Sequence, residues 1–166
     1  MKKIIYLFMI AASLISCEAQ SKKEFSKEAL ENVMTSKDNQ KITFQEIINQ
    51  YKGKTVVIDV WASWCSDCIG GMPKVKALQE KHPDLVYLFI SMDKNYDAWI
   101  KGIEKYNVVG EHYLTSDGMK GVFGKSIDLD WIPRYMIVDK EGKIALYKVI
   151  EADDAKIEET LTKLNN

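Results

Sequence analysis

The apolar residues of this 166-residue chain change period several times, and each change marks an element. Phe44, Ile47, Ile48 and Tyr51 recur at i, i+3, i+4 and i+7, the stripe of one helical face, which Gly53 ends. Ile42-Thr43 just ahead of it reads as a short strand. Thr55 to Val60 is a β-branched run with little alternation, the pattern of a central strand covered on both faces. Met72, Val75 and Leu78 carry the next helical stripe, over about Ser66 to Lys81, and Pro73 is expected to kink that helix. Leu85 to Ser91 is a second apolar strand. Trp99, Ile103 and Tyr106 stripe the following helix, a spacing that places the Trp99 and Tyr106 rings in the core. His112 to Leu114 reads as a short strand, and Met119 to Gly124 as a Gly-rich turn or short helix. Tyr135 to Val138 and Lys143 to Ile150 are strands joined by Asp139-Lys140-Glu141-Gly142, a hairpin turn with Gly142 at positive φ. Asp153 or Asp154 caps a last helix that buries Ile157, Leu161 and Leu164. Glu28 to Met34 is compatible with a first helical turn or with an edge strand. Strands alternating with helices, then a hairpin and a final helix, predict an α/β fold: a central mixed β-sheet flanked by helices on both faces.

The first residues follow a different logic. Lys2 and Lys3 are followed by an uncharged apolar stretch from Ile4 to Ile15, shorter than the ~20 residues a transmembrane helix needs. That order fits a secretory signal. Leu14-Ile15-Ser16-Cys17 resembles the lipobox of bacterial lipoproteins, in which the cysteine is lipidated and becomes the new N-terminus. The expected organisation is therefore a lipoprotein signal peptide at 1–16, a lipidated N-terminus and polar tether at 17–35, and a folded domain at 36–166. Loss of residues 1–16 moves the side-chain charge from -1 to -3. With Cys17 carrying lipid, Cys65 and Cys68 remain, to pair with each other, with a substrate or with a metal.

Composition narrows the function class. Hydrophobic residues at 46% and charged residues at 28% are those of a globular protein and exclude wholesale disorder. The net charge of -1, without a basic run, leaves no footprint for nucleic acid.

The chemistry concentrates at Trp64-Cys65-Ser66-Asp67-Cys68. A Cys-x-x-Cys pair serves either as half of a zinc site or as a redox dithiol. Zinc requires about four ligands, usually from two such pairs. No second pair exists, and His82 and His112 lie far apart in sequence. No metal and no cofactor is therefore implied, and the redox reading is favoured. Cys65 would sit at the N-terminus of the helix starting near Ser66, where free N–H groups and the helix dipole favour a thiolate. Cys65 is expected to be the exposed nucleophile. Cys68, one turn further, is expected to be buried and to resolve the mixed disulfide.

The run Val56-Val57-Ile58-Asp59-Val60-Trp61-Ala62-Ser63-Trp64-Cys65-Ser66-Asp67-Cys68 resembles the active-site strand and loop of thioredoxins, and most of all the membrane-anchored TlpA and ResA-like thiol–disulfide oxidoreductases of bacteria. Pro73 matches that family's kinked helix, Trp131-Ile132-Pro133 its cis-proline loop, and Tyr135 to Ile144 its closing hairpin. The resemblance covers about residues 36 to 164. It implies a thioredoxin-like fold and a disulfide reductase acting on exported proteins through Cys65 and Cys68. It makes Asp59 the buried acid that helps deprotonate Cys68. Pro133 would be cis and face the dithiol, with the Ile132 backbone pairing an extended substrate segment and Trp64 and Trp131 supplying apolar surface. Partners would be disulfide-containing proteins and a membrane-embedded thiol donor, and the location the periplasmic side of a bacterial membrane.

Three departures bear on tuning. Ser66-Asp67 replaces the Gly-Pro of thioredoxin, and the acidic Asp67 disfavours the Cys65 thiolate, which makes the couple more reducing. The family's lysine near the buried acid has no counterpart in Leu85 to Ser91. Arg134 stands where thioredoxin has a small residue, a change expected to alter substrate choice. Two other readings use the same scaffold. A Cu(I)-binding lipoprotein would use both thiolates. A thiol peroxidase would need a threonine-rich peroxidatic turn, which this segment lacks.

Overall fold

A computed structural model describes residues 22–165 of the protein. The signal segment and Cys17 lie outside the described residues. The elements in chain order are α1 (Lys27–Leu30), β1 (Val33–Ser36), β2 (Lys41–Thr43), α2 (Phe44–Gln50), β3 (Val56–Trp61), α3 (Ser66–Lys81) and β4 (Val86–Ser91). They continue with α4 (Tyr96–Tyr106), β5 (Glu111–Leu114), α5 (Val122–Ser126), β6 (Arg134–Val138), β7 (Ile144–Val149) and α6 (Ala155–Asn165).

The seven strands form one sheet in the order β2-β1-β5-β4-β3-β6-β7. β3 runs parallel to β4, and β4 parallel to β5. The β3–β6, β6–β7, β1–β5 and β1–β2 pairs are antiparallel, so the sheet is mixed. Every residue of β3 and of β6 is buried, which requires cover on both faces. That is why Val56 to Val60 shows no alternation. β3 ends one residue later than its apolar run suggests, because Trp61 still pairs with Ser91 of β4.

Local signals place the ends of several elements. Thr43 and Glu46 form a reciprocal capping box at the start of α2. In the β6–β7 turn, the Asp139 carboxylate accepts hydrogen bonds from the Glu141 and Lys143 amides, and Gly142 adopts φ 86°. Asp154 accepts the Lys156 amide ahead of α6, which buries Ile157 and Leu161. Pro73 lies inside α3 without ending it.

The ordered fold reaches further toward the N-terminus than a boundary at residue 36 suggests. α1 buries Ala29, and Met34 of β1 is fully covered. The Phe25 ring meets Phe44 edge-on at 4.8 Å, and Lys23 accepts the Ile144 amide through its carbonyl oxygen. Residues 22–35 are thus docked rather than a free tether. Isolated contacts hold them, namely the Phe25 ring, the buried Ala29 and Met34 side chains, the Lys22–Asp128 ion pair and main-chain bonds, and none of these produces a sequence periodicity. Among the described residues no helix is long and apolar enough to cross a membrane.

Candidate active site

The site forms where β3 runs out into α3. Cys65 is the N-cap of α3, and the Cys68 amide donates to Cys65 Sγ at 3.1 Å. The two cysteines are joined as a disulfide with Cα atoms 5.3 Å apart. Once reduced, the same amide and the helix dipole stabilise a Cys65 thiolate. The Ile132–Pro133 peptide bond is cis, and the Ile132 carbonyl oxygen lies 3.7 Å from Cys65 Sγ.

Cys65 is less open than expected. It is 6% exposed against 1% for Cys68, so both are buried and only their order is as anticipated. The reason is tertiary. Cys65 sits in an open cleft of about 290 Å3 bounded by Trp64, Ser66, Asp67, Met119, Asp130, Trp131 and Ile132. Trp64 and Trp131 are 61% and 58% exposed, two apolar surfaces flanking one sulfur. Their side chains are therefore not core. Met119 and Asp130 carried no sequence signal for this site, and only the packing of α5 and the cis-proline loop brings them to it.

Asp59 is the cross-strand neighbour of Tyr135, so both side chains leave the same face of the sheet. A Cβ on Gly71 of α3 would lie 3.6 Å from the Tyr135 hydroxyl, so α3, the helix that carries Cys68, covers that face. Asp59 is buried and neither carboxyl oxygen has a hydrogen-bond partner. Burial raises its pKa to about 8, and the Tyr135 hydroxyl, close by without completing hydrogen-bond geometry, partly opposes the shift.

A second buried acid, Asp93, was not singled out by the sequence pattern. Its carboxylate accepts the Ser63 amide at 2.9 Å, the Ser63 hydroxyl at 2.7 Å and the Ser91 hydroxyl at 2.7 Å. The loop carrying Trp64 and Cys65 is thereby tied to the end of β4. Gly102 of α4 closes on the same serine, since a Cβ there would lie 2.5 Å from Ser63 Cβ. An acid two residues past an apolar strand was the only available hint.

Arg134 does not face the cleft. It is buried, with Asp130 as its ion-pair partner, so it can act on the cleft only through that carboxylate. His82 bonds Glu158 at 3.1 Å, and buried His112 stacks on Phe89 with centroids 5.1 Å apart, both away from the dithiol. Among the described residues no group of three or more His, Cys, Asp or Glu is placed to hold a metal ion.

Comparison with known proteins gives a consistent picture. A family profile described as Redoxin matches residues 19–164. The chain is 26% identical over 178 residues to the thiol-disulfide oxidoreductase ResA of Bacillus thuringiensis subsp. konkukian, covering 99% of each chain. A solution structure of a putative thiol-disulfide oxidoreductase from Bacteroides vulgatus superposes with TM-score 0.66 at 29% identity, over 80% of this chain and 85% of that one. A putative thiol:disulfide interchange protein DsbE from Chlorobium tepidum shares the fold, with TM-score 0.67 at 17% identity over 87% and 98% of the two chains. With a disulfide between Cys65 and Cys68 at a helix N-terminus beside a cis-proline, the chain belongs to the Redoxin family as a thioredoxin-fold thiol–disulfide oxidoreductase of the TlpA/ResA type.

Proposed function

We propose that the protein works as a disulfide reductase on exported cysteine-containing proteins, lipid-anchored through Cys17 on the periplasmic side of a bacterial membrane. Electrons would reach it from a membrane-embedded thiol donor. The observation that carries this reading is the Cys65 sulfur at the floor of an open cleft, beneath two exposed tryptophans and beside two carboxylates, Asp67 and Asp130. Arg134 meets the Asp130 charge, and the Asp67 charge disfavours the Cys65 thiolate. A less stabilised reduced form makes the couple more reducing.

In the reduced enzyme the Cys65 thiolate attacks a substrate disulfide, forms a mixed disulfide and expels one substrate thiolate. Asp59 takes the Cys68 proton. The Cys68 thiolate then attacks Cys65 Sγ, which closes the enzyme disulfide and releases the second substrate thiolate. Two electrons pass to the substrate. Trp64 and Trp131 hold an extended segment against the Ile132–Pro133 backbone, which brings the scissile sulfur over Cys65.

The test is the redox potential, by equilibration with glutathione or dithiothreitol and alkylation readout, alongside Cys65→Ser and Cys68→Ser. A reversible two-electron couple below about -200 mV, absent from both variants, is expected. A couple near about -120 mV would make the protein an oxidase instead. Cys68→Ser should also retain substrates on Cys65 as mixed disulfides.

A further inference from the structure

A second cleft of about 320 Å3 lies on the other side of Pro133. Gly70, Gly71 and Lys74 of α3 form one wall, and Pro133, Tyr135 and Glu151 line it opposite. Two consecutive glycines inside a helix are destabilising relative to alanine. Neither has a steric reason at the first side-chain carbon. A Cβ on Gly70 would meet nothing within 4 Å, and one on Gly71 only the Tyr135 hydroxyl at ordinary contact distance. What the pair preserves is open space above that hydroxyl.

Below the hydroxyl lies the orphaned Asp59 carboxyl, the cross-strand neighbour of Tyr135. A buried acid that takes a proton in each turnover must also lose it, and Asp59 has no hydrogen-bonded partner to pass it to. We infer that Tyr135 is the positioning residue through which Asp59 exchanges its proton with solvent, across a cleft that Gly70 and Gly71 keep open. The inference rests on Asp59 being the acceptor of the Cys68 proton. The transfer balances as one proton. Protonated Asp59 gives its proton to the Tyr135 oxygen as Tyr135 releases its own hydroxyl proton to water in the cleft, and Asp59 returns to the carboxylate. Tyr135 stays a neutral hydroxyl throughout, because burial, then Asp59 and Glu151, hold its pKa far above the working range. The charged groups facing this path are Glu151 and Asp153 beyond β7, and Asp67 and Lys74 on α3.

The experiment uses the full chain, reduced, and a chromogenic aromatic disulfide followed by stopped flow from pH 6 to 10. Release of the first aromatic thiolate reports attack by Cys65, and release of the second reports resolution by Cys68. Tyr135→Phe should slow the second phase about tenfold at neutral pH and move its pH midpoint upward, with the first phase changed less than twofold. Gly71→Leu, which plugs the cleft, should do the same. An unchanged second phase in Tyr135→Phe, or equal slowing of both phases, overturns the relay. Asp59→Asn separates the two levels. If it slows the second phase while Tyr135→Phe does not, only the relay fails; if it has no effect, the role of Asp59 fails with it.

Discussion

Asp93 and Ser63 are joined by two hydrogen bonds, one from the serine amide and one from its hydroxyl, to separate oxygens of one buried carboxylate. Ser63 lies two residues before Cys65, so this pair sets the direction in which the chain leaves β3 and presents the sulfur at the start of α3.

Removing that carboxylate orphans several buried donors, each costing about 1–3 kcal/mol. Asp93→Ala is therefore expected to lower unfolding free energy by about 3–5 kcal/mol, measured by urea denaturation of the oxidised protein. Asp93→Asn, which keeps an acceptor and the shape, should recover part of the loss. Equal stability of wild type and Asp93→Ala would remove Asp93 as the anchor of the loop.

Asp59 gives the opposite sign. Its folded-state pKa, about 8, lies above the ordinary carboxyl value of 3.8. Between those values the unfolded chain is ionised while the folded protein keeps the proton, so stability falls as pH rises. The contribution is fully present below the unfolded value and lost as pH climbs through the folded one, on the order of 5 kcal/mol in all. Asp59→Asn should flatten the slope and be the more stable protein at pH 8. Denaturation curves at pH 5 and pH 8 check this, and a wild-type protein equally stable at both would contradict it.

Trp131 is exposed, so truncating it removes little from the core. Trp131→Ala is expected to change stability by less than about 0.5 kcal/mol. It should lower kcat/KM for a protein disulfide about tenfold, since an aromatic anchor is worth over 1 kcal/mol. Reaction with a small aliphatic disulfide should be unchanged. Equal losses on both substrates would argue against a docking role for this ring.

Asp67 stands exposed in the first turn of α3, beside the dithiol. An exposed charge interaction of this kind is worth up to about 1 kcal/mol, which for a two-electron couple corresponds to roughly 10–20 mV. Asp67→Asn should raise the potential by that amount and speed alkylation of Cys65 near neutral pH. A potential that falls would reverse the role given to this carboxylate.

Much of the molecule is legible along the chain because its signals are local. The period-3.6 stripes, the β-branched strand run from Thr55 to Val60 and the Asp139–Gly142 turn each involve residues within a few positions of one another. Their energies depend little on the rest of the fold. The Cys65–Cys68 spacing belongs to the same class, since one helical turn brings the sulfurs together. The unbroken apolar run around Asp59 likewise announces a buried acid by itself.

Other features depend on long-range packing. The burial of Cys65 requires the Ile132 carbonyl, the Trp131 ring and Met119 to arrive from distant segments. Asp93 becomes an anchor only when β4 lies beside β3, and Arg134 leaves the face of β6 opposite Tyr135, where it is buried with Asp130 as its ion-pair partner. Phe25 docks because Phe44 is there to receive it. The sequence by itself determined the strand and helix order, the redox pair and the buried acid, through contacts made within a turn or along a strand. Tertiary structure alone decided what covers the sulfur, what holds its loop and what opens beside Asp59, because those depend on which surfaces meet across the sheet.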